Sequence, residues 1–115
     1  MPNTKLSKLC SDSLSESKAE NILFLDVNSI SSFTDQIIIV TANSSRHATS
    51  VSEKLVSYLK KNNIDVIGIE GEADSGWMLV DCGDVVINIM KQEQRDFYDL
   101  EGLWRNMTPM EESNQ

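Results

Sequence analysis

The chain has one histidine, two cysteines, two prolines and ten basic residues among its 115, and each shortage removes a class of chemistry. Two widely separated cysteines, Cys10 and Cys82, do not make the disulfide framework of a small secreted domain. Both are expected as reduced, partly buried thiols, since cysteine readily acts as a small apolar residue. His47 alone, with no C-x-x-C pair, does not assemble a metal site, and no metal or other cofactor is expected. Scarce proline and glycine exclude a fibrous or disordered chain. No apolar run approaches the roughly 20 residues a bilayer helix requires. The opening MPNTKLSKLC lacks the apolar core of a signal peptide, so a cytoplasmic protein is expected. The phosphate-binding patterns G-x-x-x-x-G-K-[ST] and G-x-G-x-x-G are both missing. Eighteen acids against ten bases leave a net charge of −8. That balance repels phosphate backbones, so little direct contact with nucleic acid is expected. It favours a basic protein partner instead, because opposite fields speed encounter.

The organising stretch is GEADSGWMLVDCGDVVINIM, residues 71–90. The apolar run of Met78, Leu79 and Val80 and the β-branched run from Val85 to Met90 flank the turn Asp81-Cys82-Gly83-Asp84. This pattern predicts a β-hairpin. The second run is broken only by Asn88, so that strand is expected to be covered on both faces. Trp77 lies at the mouth of the hairpin beside the loop 72–76, where a large ring is expected to stay exposed.

Around this hairpin the chain reads as one domain over residues 1–105, long enough to bury roughly two-thirds of its unfolded surface. Leu6, Leu9, Cys10 and Leu14 predict an amphipathic helix over 4–18. Residues 22–27 (ILFLDV) predict a strand, with Ile30 and Phe33 as apolar anchors after it. Four β-branched residues, 37–40, predict a central strand. Asn43 and Ser44 are N-cap candidates for a helix over 45–62. Its core face is Ala48, Val51, Leu55, Tyr58 and Leu59, and Lys60 and Lys61 suit its C-terminal dipole. A strand over 66–69 follows, parallel to strand 37–40 if the three elements form a crossover. A last helix spans 92–104, with Gly102 as the place for a kink, and a mobile tail is expected over 106–115.

The candidate chemistries are sparse. Asp81 and Asp84, with Asp35, would suit a hard divalent cation. Asp81 and Asp84 also suit a turn, where aspartates accept backbone hydrogen bonds, and that is the better reading. Ser44-Ser45-Arg46-His47 opens a helix, where an anion can bind, but no glycine-rich loop precedes it. His47 has no nucleophile beside it and reads as structural. Trp77, Tyr98 and Trp104 are candidate interface anchors, being the residue types that hot spots favour. Core packing is the rival for each of the three. The residues alone support a small acidic α/β binding module better than an enzyme.

Several strings together carry a resemblance: Ser32-Phe33-Thr34-Asp35, Asn43-Ser44-Ser45-Arg46-His47, Glu70-Gly71-Glu72, Gly76-Trp77, Val80-Asp81-Cys82-Gly83-Asp84-Val85-Val86, and Tyr98-Asp99-Leu100-Glu101 with Leu103-Trp104. In this order and spacing the chain resembles the ribosomal silencing factor (Iojap) family over roughly residues 19–104. It departs at Asn88, where members often carry histidine, and at Cys82, where they often carry a bulkier residue. The resemblance implies a nucleotidyltransferase-like α/β fold, a central mixed β-sheet flanked by α-helices, without transferase activity. It implies a translational repressor that binds the large ribosomal subunit through large-subunit ribosomal protein fourteen. Bound there, it would block joining with the small subunit by steric overlap and damp translation when nutrients are short. By matching positions the contact surface would hold Trp77, inserted into a shallow pocket, with Asp81 and Glu70 or Glu72 pairing with Lys or Arg of the partner. Met78 and Met90 would give adaptable apolar contact. A homodimer is left open. The rival function is a metal- and nucleotide-dependent transferase using Asp35, Asp81 and Asp84.

Overall fold

The computed structural model describes residues 5–29 and 34–107, with the side chains of residues 73 and 104–107 left out. Ile30, Phe33, the ring of Trp104 and the tail from residue 108 lie outside the described residues. The elements run α1 (Lys5–Glu16), β1 (Glu20–Asp26), β2 (Gln36–Ala42), α2 (Ser45–Lys61), β3 (Gly68–Glu72), a 3-10 turn (Ala73–Ser75), β4 (Trp77–Asp81), β5 (Val85–Lys91), α3 (Gln92–Tyr98) and α4 (Leu100–Met107). Asn106 and Met107, expected in the tail, belong to α4.

The five strands form one mixed sheet in the order β1-β2-β5-β4-β3. The hairpin is β4–β5, antiparallel, with Trp77 opposite Met90 and Asp81 opposite Val86. β5 also pairs with β2, in parallel. Residues 85–90 are all buried, as a nearly continuous apolar run on a central strand requires. β3 runs antiparallel to β4, and so points the same way as β2. The expected crossover direction therefore holds, but β5 and β4 lie between those two strands. β3 itself sits two residues later than the apolar run 66–69 suggests. Pairing with β4 draws Gly71 and Glu72 into the ladder, and such pairing outweighs weak strand propensity.

Alternation along the strands splits the core in two. On one face Ile38, Val40, Val80, Ile87 and Ile89 pack beneath α1 and α2, against Cys10, Leu14, Val51, Leu55 and Leu59. On the other face Leu25, Val27, Ile37, Ile39 and Met90 form a smaller cluster, flanked by Leu23, Trp77 and Leu100. Ser44 caps α2 by accepting a hydrogen bond from the His47 N–H. The His47 ring joins two elements. Its Nδ1 accepts from the Asn43 N–H at 3.0 Å, so Nε2 carries the proton toward the Ser17 carbonyl at 2.9 Å. These bonds make His47 a strut between the end of α1 and the start of α2. Among the described residues no helix is long and apolar enough to cross a membrane.

Gly71 is a position only glycine fills without strain. Its φ is +83°, and an added Cβ would lie 2.4 Å from the Trp77 carbonyl oxygen, a backbone atom that cannot move aside. Gly71→Ala is expected to lower unfolding free energy by at least about 2 kcal/mol, from the left-handed backbone and the clash together. Urea denaturation checks this. A loss below about 0.5 kcal/mol would show that the edge strand yields freely.

Candidate partner-binding site

Residues on neighbouring strands that lie opposite one another share a face. Opposite Trp77 stands Glu72, and opposite Leu79 stands Glu70. The fold thus gathers Trp77, Leu79, Glu70 and Glu72 on one face at the β3 edge. A shallow groove of about 260 Å³ opens there, lined by Glu70, Gly71, Ser75, Trp77 and Leu79. Ser75 fixes its end by donating its hydroxyl to the Glu72 carbonyl at 2.6 Å. A larger recess of about 630 Å³ runs between α1 and α2, but none of the expected contact residues lines it.

Trp77 is half-buried, less exposed than its place beside a loop suggests. Its indole N–H donates to Asn88 Oδ1 at 2.9 Å. Its ring packs against Tyr98 of α3 at 4.8 Å between centroids and 49° between planes. Held on two sides, the ring is a wall of the groove rather than a projecting plug. Phe97 continues the aromatic surface, edge-on to Tyr98 at 5.0 Å and 81% exposed. Tyr98 and Leu103 are also exposed.

The other expected contacts separate. Met90 has 0% exposure and packs in the smaller core cluster. It lies opposite Trp77, under the site rather than on it, so the surface contact expected of Met90 is corrected to a core role. Met78 alternates to the opposite face and packs against the larger core. It is therefore not part of the surface that holds Trp77. Asp81 shares the Trp77 face but lies four residues along β4, about 13 Å away at strand rise. Its Oδ1 accepts the Gly83 N–H at 2.8 Å, which is the work of a turn residue. Asp35 Oδ1 accepts from the Asn28 side chain at 2.7 Å. Among the described residues no group of three or more His, Cys, Asp or Glu is placed to hold a metal ion.

Sequence reasoning missed Asn88 and Arg95. Asn88 is a lone polar residue within a buried apolar strand, which is the signal that would have found it. Arg95 is 8% exposed. Its Nε donates to Glu101 Oε1 at 2.8 Å and Nη2 to Oε2 at 3.2 Å. Its Nη1 donates to the Asn21 carbonyl at 2.7 Å and to Thr41 Oγ1 at 2.8 Å. The guanidinium ties α3 and α4 to β1 and β2. A continuous helix over 92–104 would put Glu101 about 9 Å along the axis from Arg95 and 240° round it. The chain breaks at Asp99 instead, which takes a left-handed φ of +46°. Gly102 is not the kink. Its N–H donates to Asp99 Oδ1 at 3.2 Å, and its missing side chain leaves room for that carboxylate.

Both thiols are free. Burial pushes Cys10 up from 9.0 to about 12, with the nearby Cys82 adding to the rise. Burial, then the Asp81 carboxylate, pushes Cys82 up to about 11. Neither is poised as a nucleophile at neutral pH, because the thiolate is the reactive form.

Comparison with known proteins places this geometry. The family described as "Ribosomal silencing factor during starvation" matches residues 2–115. "Ribosomal silencing factor RsfS" of Chromobacterium violaceum is 34% identical over 105 residues, covering 91% of this chain and 86% of that protein. Its namesake in Haemophilus influenzae is 37% identical over 87 residues, covering 76% and 85%. "Protein Iojap, chloroplastic" of Zea mays is 37% identical over 97 residues, 84% of this chain and 42% of that longer protein. A crystal structure of a Chromobacterium violaceum protein superposes with a TM-score of 0.86 at 34% identity, over 95% of this chain and 91% of that one. With the five-stranded mixed sheet and the match from residue 2 to residue 115 in hand, the chain belongs to the ribosomal silencing factor family.

Proposed function

We infer that this protein is a translational repressor that binds the large ribosomal subunit and blocks joining with the small subunit by steric overlap. The reading adopts large-subunit ribosomal protein fourteen as its contact and nutrient limitation as its setting. It treats the α/β fold as nucleotidyltransferase-like in shape and non-enzymatic in use. The observation that carries it, beside the family, is the acidic and aromatic edge: Glu70 and Glu72 flank Trp77 on a chain of net charge −8. A basic side chain entering the groove would lay its apolar stem on Trp77 and Leu79 and its charge by Glu70. The commitment of Asp81 and Asp35 to local hydrogen bonds favours a body that binds over a transferase.

The test is co-sedimentation with purified large subunits through a sucrose cushion. Trp77→Ala and Glu70→Lys are each expected to weaken association at least tenfold, in the range of an interface hot spot. Circular dichroism should show both folded. Asp81→Lys is a poorer probe than the sequence suggests, since it also removes the Gly83 bond of the hairpin turn. If the unaltered chain stayed in the supernatant, the silencing reading would fall. If it pelleted and neither variant mattered, the reading would stand and the face would be wrong.

A further inference from the structure

Asn88 is the polar exception on the most buried strand. It is 4% exposed and sits between Ile87 and Ile89, both fully buried. A buried amide without compensation is destabilising, so its presence there asks for a reason. The neighbouring core cluster on its side of the sheet is built from Leu25, Val27, Ile37, Ile39 and Met90, and a leucine there would bury no polar group.

The hydrogen bond to Trp77 supplies the reason. Asn88 lies opposite Leu79, and Trp77 lies opposite Met90. The indole therefore reaches Asn88 across the diagonal of the β4–β5 pair, a span that aromatic side chains cover. Its N–H ends 2.9 Å from Oδ1. The bond pins the indole down along the sheet, and Tyr98 closes on the ring from α3. Without an acceptor at residue 88, the indole N–H would seek water, and the ring would turn outward across Leu79. Trp77 and Leu79 are both walls of the 260 Å³ groove, so that turn would close it.

We propose that Asn88 is a positioning residue for partner binding: by accepting the Trp77 indole N–H from beneath, it holds the ring as the wall of an open groove at the β3 edge. This rests on the partner-binding reading above. Asn88 itself touches no partner, because it is buried under the site. Its contribution is preorganisation, which raises affinity by removing an ordering step from association. The acceptor is what matters, and not the amide as such. An imidazole nitrogen can accept the same bond, so Asn88→His should substitute for asparagine, whereas Asn88→Leu should not.

The test pairs two readouts on the full chain. The first is hydrogen exchange of the Trp77 indole N–H by nitrogen-15 NMR, assigned by its loss in Trp77→Phe. The second is affinity for purified large subunits. Asn88→Leu is expected to speed indole exchange at least tenfold and to weaken binding at least fivefold. Asn88→His is expected to restore both. In a Trp77→Phe background, which has no indole to hold, Asn88→Leu is expected to leave affinity unchanged, because positions acting through one contact are not additive. Full affinity in Asn88→Leu despite fast indole exchange overturns the proposal. So does an Asn88→Leu loss that persists undiminished in Trp77→Phe, since that would mark a general structural role. Should Asn88→Leu fail to fold, the unaltered chain decides: an indole N–H exchanging as fast as free indole overturns the clamp. Absence of large-subunit binding by the unaltered chain overturns the functional reading and this role with it. The exchange readout, independent of the ribosome, tells the two failures apart.

Discussion

Replacing Glu101 with leucine is expected to lower unfolding free energy by about 3–5 kcal/mol. The carboxylate is partly accessible, at 23%, but its partner Arg95 is not, at 8%. Removing Glu101 leaves the guanidinium charged and enclosed, with the Asn21 carbonyl and the Thr41 hydroxyl as its remaining acceptors among the described residues. Arg95→Met should be damaging by a similar amount for a different reason. It strands the Asn21 carbonyl and releases α3 and α4 from β1 and β2. Arg95→Lys should recover little, because a point charge cannot span the fork that grips both oxygens of Glu101. The double variant Arg95→Met with Glu101→Leu is expected to lose less than the two single losses combined, and less than Glu101→Leu alone. Urea denaturation of the four proteins measures this. Additive losses would show that the ion pair is not coupled, and the interpretation would fail.

The second large effect is alkaline. Cys10 has no exposed surface, and its thiol is raised from 9.0 to about 12. In the unfolded chain the thiol ionises above pH 9, while in the folded chain it stays protonated. The unfolded state therefore binds fewer protons, and stability falls as pH rises. The contribution is fully present below pH 9 and is lost progressively between 9 and about 12. At about 1.4 kcal/mol for each tenfold change, the loss reaches roughly 3 kcal/mol by pH 11. Other groups titrate in this window, so the measurement is a difference. Unaltered protein and Cys10→Ala should be compared by urea denaturation at pH 8 and pH 11. At pH 8 the unaltered protein is expected to be the more stable, by about 1 kcal/mol, since alanine leaves a small void. By pH 11 the order should reverse. Parallel pH dependence in the two proteins would mean that the Cys10 thiol reaches solvent.

The hairpin, the fully buried β2 and the helix α2 were legible in the sequence because each obeys a strong local rule. Val85 to Met90 is too apolar for a one-sided strand. Ala48, Val51, Leu55 and Leu59 fall at helical steps, and Ser44 is a good cap. The errors share one cause, which is that a local pattern does not record what lies opposite it. Met78 and Met90 look alike in sequence, yet pairing with Trp77's strand puts one under α2 and the other beneath the tryptophan ring. Tyr58 suits the core by spacing but is only partly buried. The break at Asp99 has no proline or glycine to announce it. It brings Glu101 onto Arg95, a contact that residue spacing along one helix does not suggest. Likewise, Glu70 and Glu72 were placed near Trp77 by family position, whereas the register between β3 and β4 is what sets them on one face.

The strand order has a consequence for how the chain is made. β2 and β3 precede β4 and β5 in the chain yet lie three places apart in the finished sheet, and the gap between them is filled by β4 and β5. The strand that joins the two halves, β5, ends only at Lys91. A nascent chain of 80 residues holds β1–β2 with α1 and α2, and β3, but no ladder between β2 and β3, so the sheet stays open where β5 belongs. The two parts of the sheet can join only once β5 has been made. Sheets completed by distant pairings close slowly, and unpaired strand edges invite association in the interval. The face that holds Trp77, Glu70 and Glu72 is therefore complete only once β4 and β5 have joined the sheet.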